Sequence, residues 1–217
     1  MTDYSVADDL ALARSLAADA DLISLERFRA LDLVITTKPD RTPVTDADQA
    51  VERAIRDRLG AERPSDSILG EEYGEAGASA RQWIIDPIDG TANFLRGVPI
   101  WGTLIALAID GVPVVGVASS PALGKRWWAG RGHGAWVQEP GHEPRGMRVS
   151  TVNDLANASL SYNSLKGWDE FGYLDHLVRE LAAHAPTIET HNEPTRIRIR
   201  HKALDVVDEA LGGLAHD

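Results

Sequence analysis

The sequence predicts an α+β fold in which helices come first and an antiparallel-rich sheet follows. Three observations predict it. Residues 5–30 carry Leu10, Ala13, Leu16, Ala17, Leu22, Leu25 and Phe28 at helical spacing, the mark of an amphipathic helix. Two short apolar runs, SILG at 67–70 and the strand that starts at 82, each lead straight into acids. From 100 to 137 the pattern turns to β-type runs punctuated by glycine.

Taken in order, the first helix covers 5–30, with a break within it. The stretch LDLVITTKPDRTPVTDADQ follows. Its first half alternates like a strand, with Leu33 and Ile35 on one face, and its second half, with Pro39 and Pro43, is a loop. Thr45 or Asp46 then caps a helix running through Val51 and Ile55 to Gly60. Residues 67–70 form a short buried strand that ends at Glu71-Glu72, and 82–86 form a second. WGTLIALAID, Gly111 and VPVVGVASS make a hairpin, and KRWWAGRGHGAWV makes another pair of strands around glycines. Further strands are expected at 146–150 and 158–164, and a helix at 169–184. Beyond about residue 185, basic residues at 196–202 precede a short acidic-apolar helical pattern. There is no internal repeat.

Composition limits the function. A chain of 217 residues with 43% hydrophobic content can bury a real core, as one large domain or two small ones. The net charge of −11 argues against nucleic-acid binding. It leaves an anionic small substrate open, because a metal can invert the local field. With no cysteine, disulfides, thiolate catalysis and Cys-ligated zinc are excluded. The start, MTDYSVADDLALARSL, has no basic segment ahead of an apolar one, and no apolar run approaches the length of a membrane span. A soluble cytoplasmic protein is expected, with no membrane partner.

Four carboxylates gather at the ends of predicted elements: Asp48, Glu71, Asp86 and Asp89. Glu71 and Asp86 each follow a strand, so neighbouring strand ends would set them side by side. Bare acids so placed repel. A divalent cation removes that cost, and oxygen ligands without Cys or His suit Mg²⁺. In DPIDG, Pro87 stiffens the backbone and the Ile88 carbonyl lies between the two acids. Gly90 lets the backbone approach an anion, and a helix starting near Thr91 would point N–H groups at it. Taken alone, Pro-x-Asp-Gly is a common turn, Glu71-Glu72 a solvated pair, and Asp46 or Asp48 a helix cap. Both readings stand on the residues. The histidines, His133, His176 and His184 among them, read as structural or solvated, and Trp101, Trp127, Trp128 and Trp136 read as packing. Lys38 reads as a solvated loop residue within reach of a bound anion.

The motifs PVTDADQAVE (43–52), ILGEEYG (68–74), WIIDPIDGTANF (83–94) and VVGVASSPALGKRWWAGRGHGAW (114–136) resemble those of the inositol monophosphatase family. The resemblance covers about residues 5–165. NFLRGVPIW (93–101), the RWW at 126–128 and SLSYNSLKGW (159–168) are most similar to the histidinol-phosphatase branch of actinobacterial type. The resemblance implies a layered α-β-α-β-α fold. Residues 1–150 would be an N-terminal α+β metal-binding lobe, and 151–217 a partial C-terminal α/β lobe with a divergent tail. It implies a phosphomonoesterase that uses Mg²⁺ and a metal-activated water, with no phosphoenzyme. Glu71, Asp86, the Ile88 carbonyl and Asp89 would hold the metal. Asp48, Glu71 and Thr91 would orient or deprotonate the water. Glu71, Ile88, Asp89, Gly90, Thr91 and Arg96 would meet the small phosphorylated substrate. Histidinol phosphate is the expected substrate and an inositol phosphate the alternative. A homodimer is compatible with the family.

The sequence also departs from the family. A W-R-x-R-x-Y-G-D-F stretch and a W-D-x-A motif are expected after residue 185 and are not found, so the second lobe is expected to be incomplete. The alternative of another class is an inactive relative that binds metal and phosphate without turnover.

Overall fold

A computed structural model describes residues 4–38 and 43–153. The chain divides into two compact units with a boundary after Arg148, and every described helix and strand lies in the first. The strand expected at 158–164, the helix at 169–184 and the tail pattern lie outside the described residues. So does the expected second lobe, apart from its first three residues.

Helix α1 (Val6–Arg27) is unbroken, in contrast to the expected break. Ser5 starts it with a capping box. Its hydroxyl accepts the Asp8 N–H at 3.2 Å, and Asp8 Oδ2 accepts the Ser5 N–H at 3.1 Å. Leu10, Ala13, Leu16, Ala17 and Ala20 form the buried face. Leu22 and Leu25, expected on that stripe, are exposed. Leu22 stands two residues beyond Ala20, which puts it on the opposite side of a helix with 3.6 residues per turn.

A small hairpin follows. Strand β1 (Ile35–Thr37) pairs antiparallel with β2 (Pro43–Thr45). The expected loop around Pro43 is therefore partly strand, and Pro43 is tolerated because it is the first residue. Thr45 caps α2 (Asp46–Glu62), which continues through Gly60.

Among the described residues the main sheet has eight strands in the order β10-β9-β8-β7-β6-β5-β3-β4. They are β3 (Ser67–Gly70), β4 (Gly74–Ala76), β5 (Arg81–Asp89), β6 (Gly102–Ile109), β7 (Val112–Ser120), β8 (Lys125–Gly130), β9 (Gly134–Gln138) and β10 (Arg145–Met147). All neighbours are antiparallel except β3 and β5, which run parallel. The β6–β7 hairpin turns on Asp110 and Gly111, both at positive φ, 53° and 77°. That is what a two-residue turn matching the sheet's twist requires. The last strand is shorter than expected: it stops at Met147 rather than running to 150.

Helices α1 and α2 pack on this sheet. Leu16, Val51, Ile55, Leu59, Trp83, Ile85, Ile105, Leu107, Val117 and Trp128 share one buried cluster. A buried ion network ties its parts together. Asp9 on α1 accepts from Arg63 at 3.0 Å and Arg81 at 2.9 Å, and Arg81 also reaches Asp66 at 3.0 Å. A second cluster holds Ala47, Ile88, Phe94 and Trp101, with Phe28 packed against it. The rings of Phe28, Phe94 and Trp101 meet at centroid distances of 4.9–5.4 Å, which joins the end of α1 to the segment after β5. This aromatic trio supports the backbone that carries the acids.

Candidate functional site

Strand β5 does more than the sequence suggests. It does not stop at Asp86; it includes Pro87 and runs to Asp89. Its pairing with β6 is regular up to Asp86↔Leu104 and resumes at Asp89↔Gly102, with a shift between. Such an irregularity re-aims side chains. The Thr103 hydroxyl donates to the Pro87 carbonyl at 2.8 Å and pins the shifted segment from β6. Asp86 and Asp89 are both buried. Gly90 follows with φ 90° and caps α3 (Thr91–Leu95), a single helical turn. A helix start at Thr91 was expected; its brevity was not.

Glu71 stands where parallel pairing predicts. Gly70 is opposite Ile85, and the Glu71 N–H donates to the Ile85 carbonyl at 3.1 Å. Glu71, just past the end of β3, thus stands beside Asp86, which lies inside β5, and the charge of Glu71 acts on the Asp86 carboxyl. Burial pushes the Asp86 carboxyl up to about 10, and the negative charges of Glu71, Asp89 and Asp48 add to the effect. Glu71 also faces Lys38, whose Nζ lies 3.0 Å from Glu71 Oε1 and 2.8 Å from Glu72 Oε1. Burial works against the Lys38 ammonium. Hydrogen bonds to Glu72 and Glu71 outweigh it and hold the amine above its usual range. Lys38, expected as a solvated loop residue, is instead an ion-pair partner of this turn.

Asp48 has two roles at once. It is the third residue of α2 and closes the capping box: its Oδ2 accepts the Thr45 N–H at 2.8 Å and the Thr45 hydroxyl at 2.5 Å. Its Oδ1 meets the Thr91 hydroxyl at 3.2 Å. Thr91 Oγ1 is also 3.1 Å from the Ile88 carbonyl. Burial raises the Asp48 carboxyl, against the hydrogen bonds from Thr45 and Thr91 that favour its charged form. The cap reading and the site reading of Asp48 are therefore both present in one side chain.

The structure thus forms two sets, Asp48–Thr91–Ile88 and Glu71–Asp86, with Asp89 close enough for its charge to raise Asp86. Arg96 is the C-cap of α3 and belongs to neither set. His133 lies in the β8–β9 turn. Sequence reasoning missed Glu52, Arg56 and Thr103, and read Thr45 only as a helix cap. Glu52 had a signal: it stands one turn after Asp48 in PVTDADQAVE, on the face that also carries Val51, Ile55 and Leu59.

The donor set fits a hard divalent cation in its chemistry. It is all oxygen, and ionised acids this close need a proton or a cation between them. Among the described residues, no three acidic or imidazole side chains stand together as a finished cage. The convergence is pairwise, with Glu71 shared between Asp86 and Lys38.

Comparison with known proteins gives the family. The chain is 56% identical to a histidinol-phosphatase of Mycobacterium tuberculosis over 172 residues, 79% of this chain and 66% of the relative. It is 53% identical to a histidinol-phosphatase of Streptomyces coelicolor over 188 residues, 83% of this chain and 70% of the relative. The fold matches the crystal structure of the extragenic suppressor protein SuhB from Bartonella henselae with a TM-score of 0.68 and 28% identity. That match covers 81% of this chain and 67% of the other. The chain spans about two thirds of the length of these two histidinol-phosphatases. The inositol monophosphatase family pattern matches residues 6–184, and the chain belongs to that family.

Proposed function

We propose that this chain is a Mg²⁺-dependent phosphomonoesterase that hydrolyses histidinol phosphate to histidinol. The observation that carries the chemistry is the Glu71–Asp86 carboxyl pair, set side by side by the parallel pairing of β3 and β5, beside an Asp48–Thr91 hydrogen bond. The choice of substrate rests on two relatives that bear the name histidinol-phosphatase at 56% and 53% identity. Residues 1–150 would act as the metal-binding lobe, and 151–217 as part of a second.

Glu71, Asp86, the Ile88 carbonyl and Asp89 would hold Mg²⁺. When bound, the ion supplies positive charge that acidifies water and offsets the phosphoryl oxygens. The chain's own residues do the rest. Thr45 fixes one oxygen of Asp48 and leaves the other to Thr91. The Thr91 hydroxyl can give its proton to Asp48 and accept one from a water, so it relays a proton away from the attacking oxygen. Burial makes Asp48 a better acceptor for that proton than a solvated aspartate. Gly90 and Thr91 amides would contact the phosphate, and Arg96 would offer it a cation. Ile88 stands in the second buried cluster, so its carbonyl is set by packing against Phe94 and Trp101.

Phosphate release from L-histidinol phosphate tests the reading, with inositol 1-phosphate beside it, with and without Mg²⁺. Mg²⁺-dependent release that favours histidinol phosphate is expected. Preference for inositol 1-phosphate would move the substrate assignment to the alternative. Mg²⁺ binding without release from either would mark the chain as a metal-binding, non-hydrolytic relative.

A further inference from the structure

We infer that Glu52, braced by Arg56, is a positioning residue that sets the acidic turn 71–74 and so aims Glu71 at Asp86. The inference rests on the metal reading above and deepens it. Glu52 is on α2, one helical turn after Asp48, and is fully buried. A buried carboxylate is costly unless its oxygens are satisfied. Among the described residues, its backbone partners all lie in one turn. Its Oε2 accepts the Glu72 N–H at 2.7 Å, and its Oε1 accepts the Tyr73 N–H at 3.2 Å. Arg56, one turn further along, donates Nε to Glu52 Oε1 at 2.7 Å. The same guanidinium donates Nη2 to the Gly74 carbonyl. Arg53 also reaches the turn, with Nη1 2.7 Å from the Tyr73 hydroxyl.

The turn is therefore held at three consecutive residues from one helix. Glu71 itself is tied on its other side, through its N–H to Ile85. These two anchors fix the backbone from which the Glu71 side chain reaches toward Asp86 and Lys38. The neighbouring glycine fits this account. A Cβ at Gly70 would lie 1.9 Å from Glu52 Oε1 and 2.7 Å from Arg56 Nη2. The approach of Glu52 to the backbone is what requires glycine in ILGEE. One helix thus carries Asp48 for Thr91 and Glu52 for the turn bearing Glu71. The two acid sets are kept in register by α2.

The test is Mg²⁺ binding by the full 217-residue chain, measured by calorimetry alongside the melting temperature. Glu52→Gln puts an amide donor against backbone N–H groups and releases the turn. Gly70→Ala displaces Glu52 from the other side, and Arg56→Gln removes the brace. Ile55→Val on the same helix softens the core without touching the turn. Each of the first three, in whichever variants fold, is expected to weaken Mg²⁺ at least tenfold. Hydrogen exchange at the Glu72 and Tyr73 amides should speed up at least tenfold in the same proteins. Ile55→Val is expected to lower the melting temperature and leave both readouts unchanged. Parent-like Mg²⁺ affinity in folded Glu52→Gln or Arg56→Gln would overturn the role of Glu52 and leave the metal reading intact. A parent chain that binds no Mg²⁺ would sink the metal reading, and this role with it.

Discussion

Replacing Asp86 with Asn separates what this side chain does to the fold from what we propose it does for a cation. Burial, then the charges of Glu71 and Asp89, raise its carboxyl from 3.8 to about 10. An acid with a higher pKa folded than unfolded binds its proton more tightly in the fold. Its stabilising contribution is whole below about pH 4 and is lost as pH rises toward 10. At pH 7 the gap from 3.8 is about three pH units. At about 1.36 kcal/mol per unit the loss is roughly 4 kcal/mol. The charge of Glu71 beside Asp86 supplies part of that rise, so this figure is a ceiling for one substitution. Asn carries no charge at any pH. Asp86→Asn should therefore match the parent near pH 4 and exceed it at pH 7 in chelator by up to roughly 4 kcal/mol. For a chain of this size that is about 8–16 °C in melting temperature. With Mg²⁺ at 100 times its Kd the parent should gain about 2.7 kcal/mol, and the variant nothing. Thermal unfolding at pH 4, 7 and 9, with EDTA or Mg²⁺, reads all of this. A variant less stable than the parent at pH 7 in EDTA, or one still stabilised by Mg²⁺, would refute the reasoning.

Two further outcomes follow from local geometry. Thr45→Ala removes the cap of α2 and the hydroxyl that fixes Asp48 Oδ2. Denaturant unfolding should show a loss of about 1–2 kcal/mol, and turnover should fall further than that loss explains. Gly90→Ala forces an L side chain to φ 90° with its Cβ 3.2 Å from the Ile100 carbonyl. It should cost roughly 1–2 kcal/mol, read by the same unfolding curve, and lower phosphate release more than any exposed-loop substitution of equal cost.

Much of the fold was legible because period and punctuation agreed. The 102–120 hairpin follows from two β-runs split by Asp110-Gly111, whose positive φ values the turn demands. The Glu71–Asp86 juxtaposition was legible because two short apolar runs both ended in acids. What escaped was set by partners distant in sequence. Asp89 reads as a loop residue until β6 pairs with it; Pro87, with no N–H to give the ladder, breaks the pairing, and Thr103 on β6 holds its carbonyl. Leu22 and Leu25 match a helical spacing when counted loosely, but the face of α1 that meets the sheet excludes them. Lys38 looks solvated until the turn after β3 is placed against it. Glu52 reads as one more acid in an acidic chain, because nothing local to α2 says which amides it will meet.

Among the described residues the sheet ends on both sides in a strand of three residues, β4 and β10, while strands of eight and nine residues lie inside it. A long bare edge would offer its amides and carbonyls to any passing chain, and two stubs offer few. The described part of the sheet is thereby guarded against association by strand addition. That guard is thinnest at β4, where Gly74 is at once the first residue of the edge and the end of the acidic turn. Damage there would bare β3 and loosen the turn together, so a chain that loses its chemistry at this point should also become the one that precipitates.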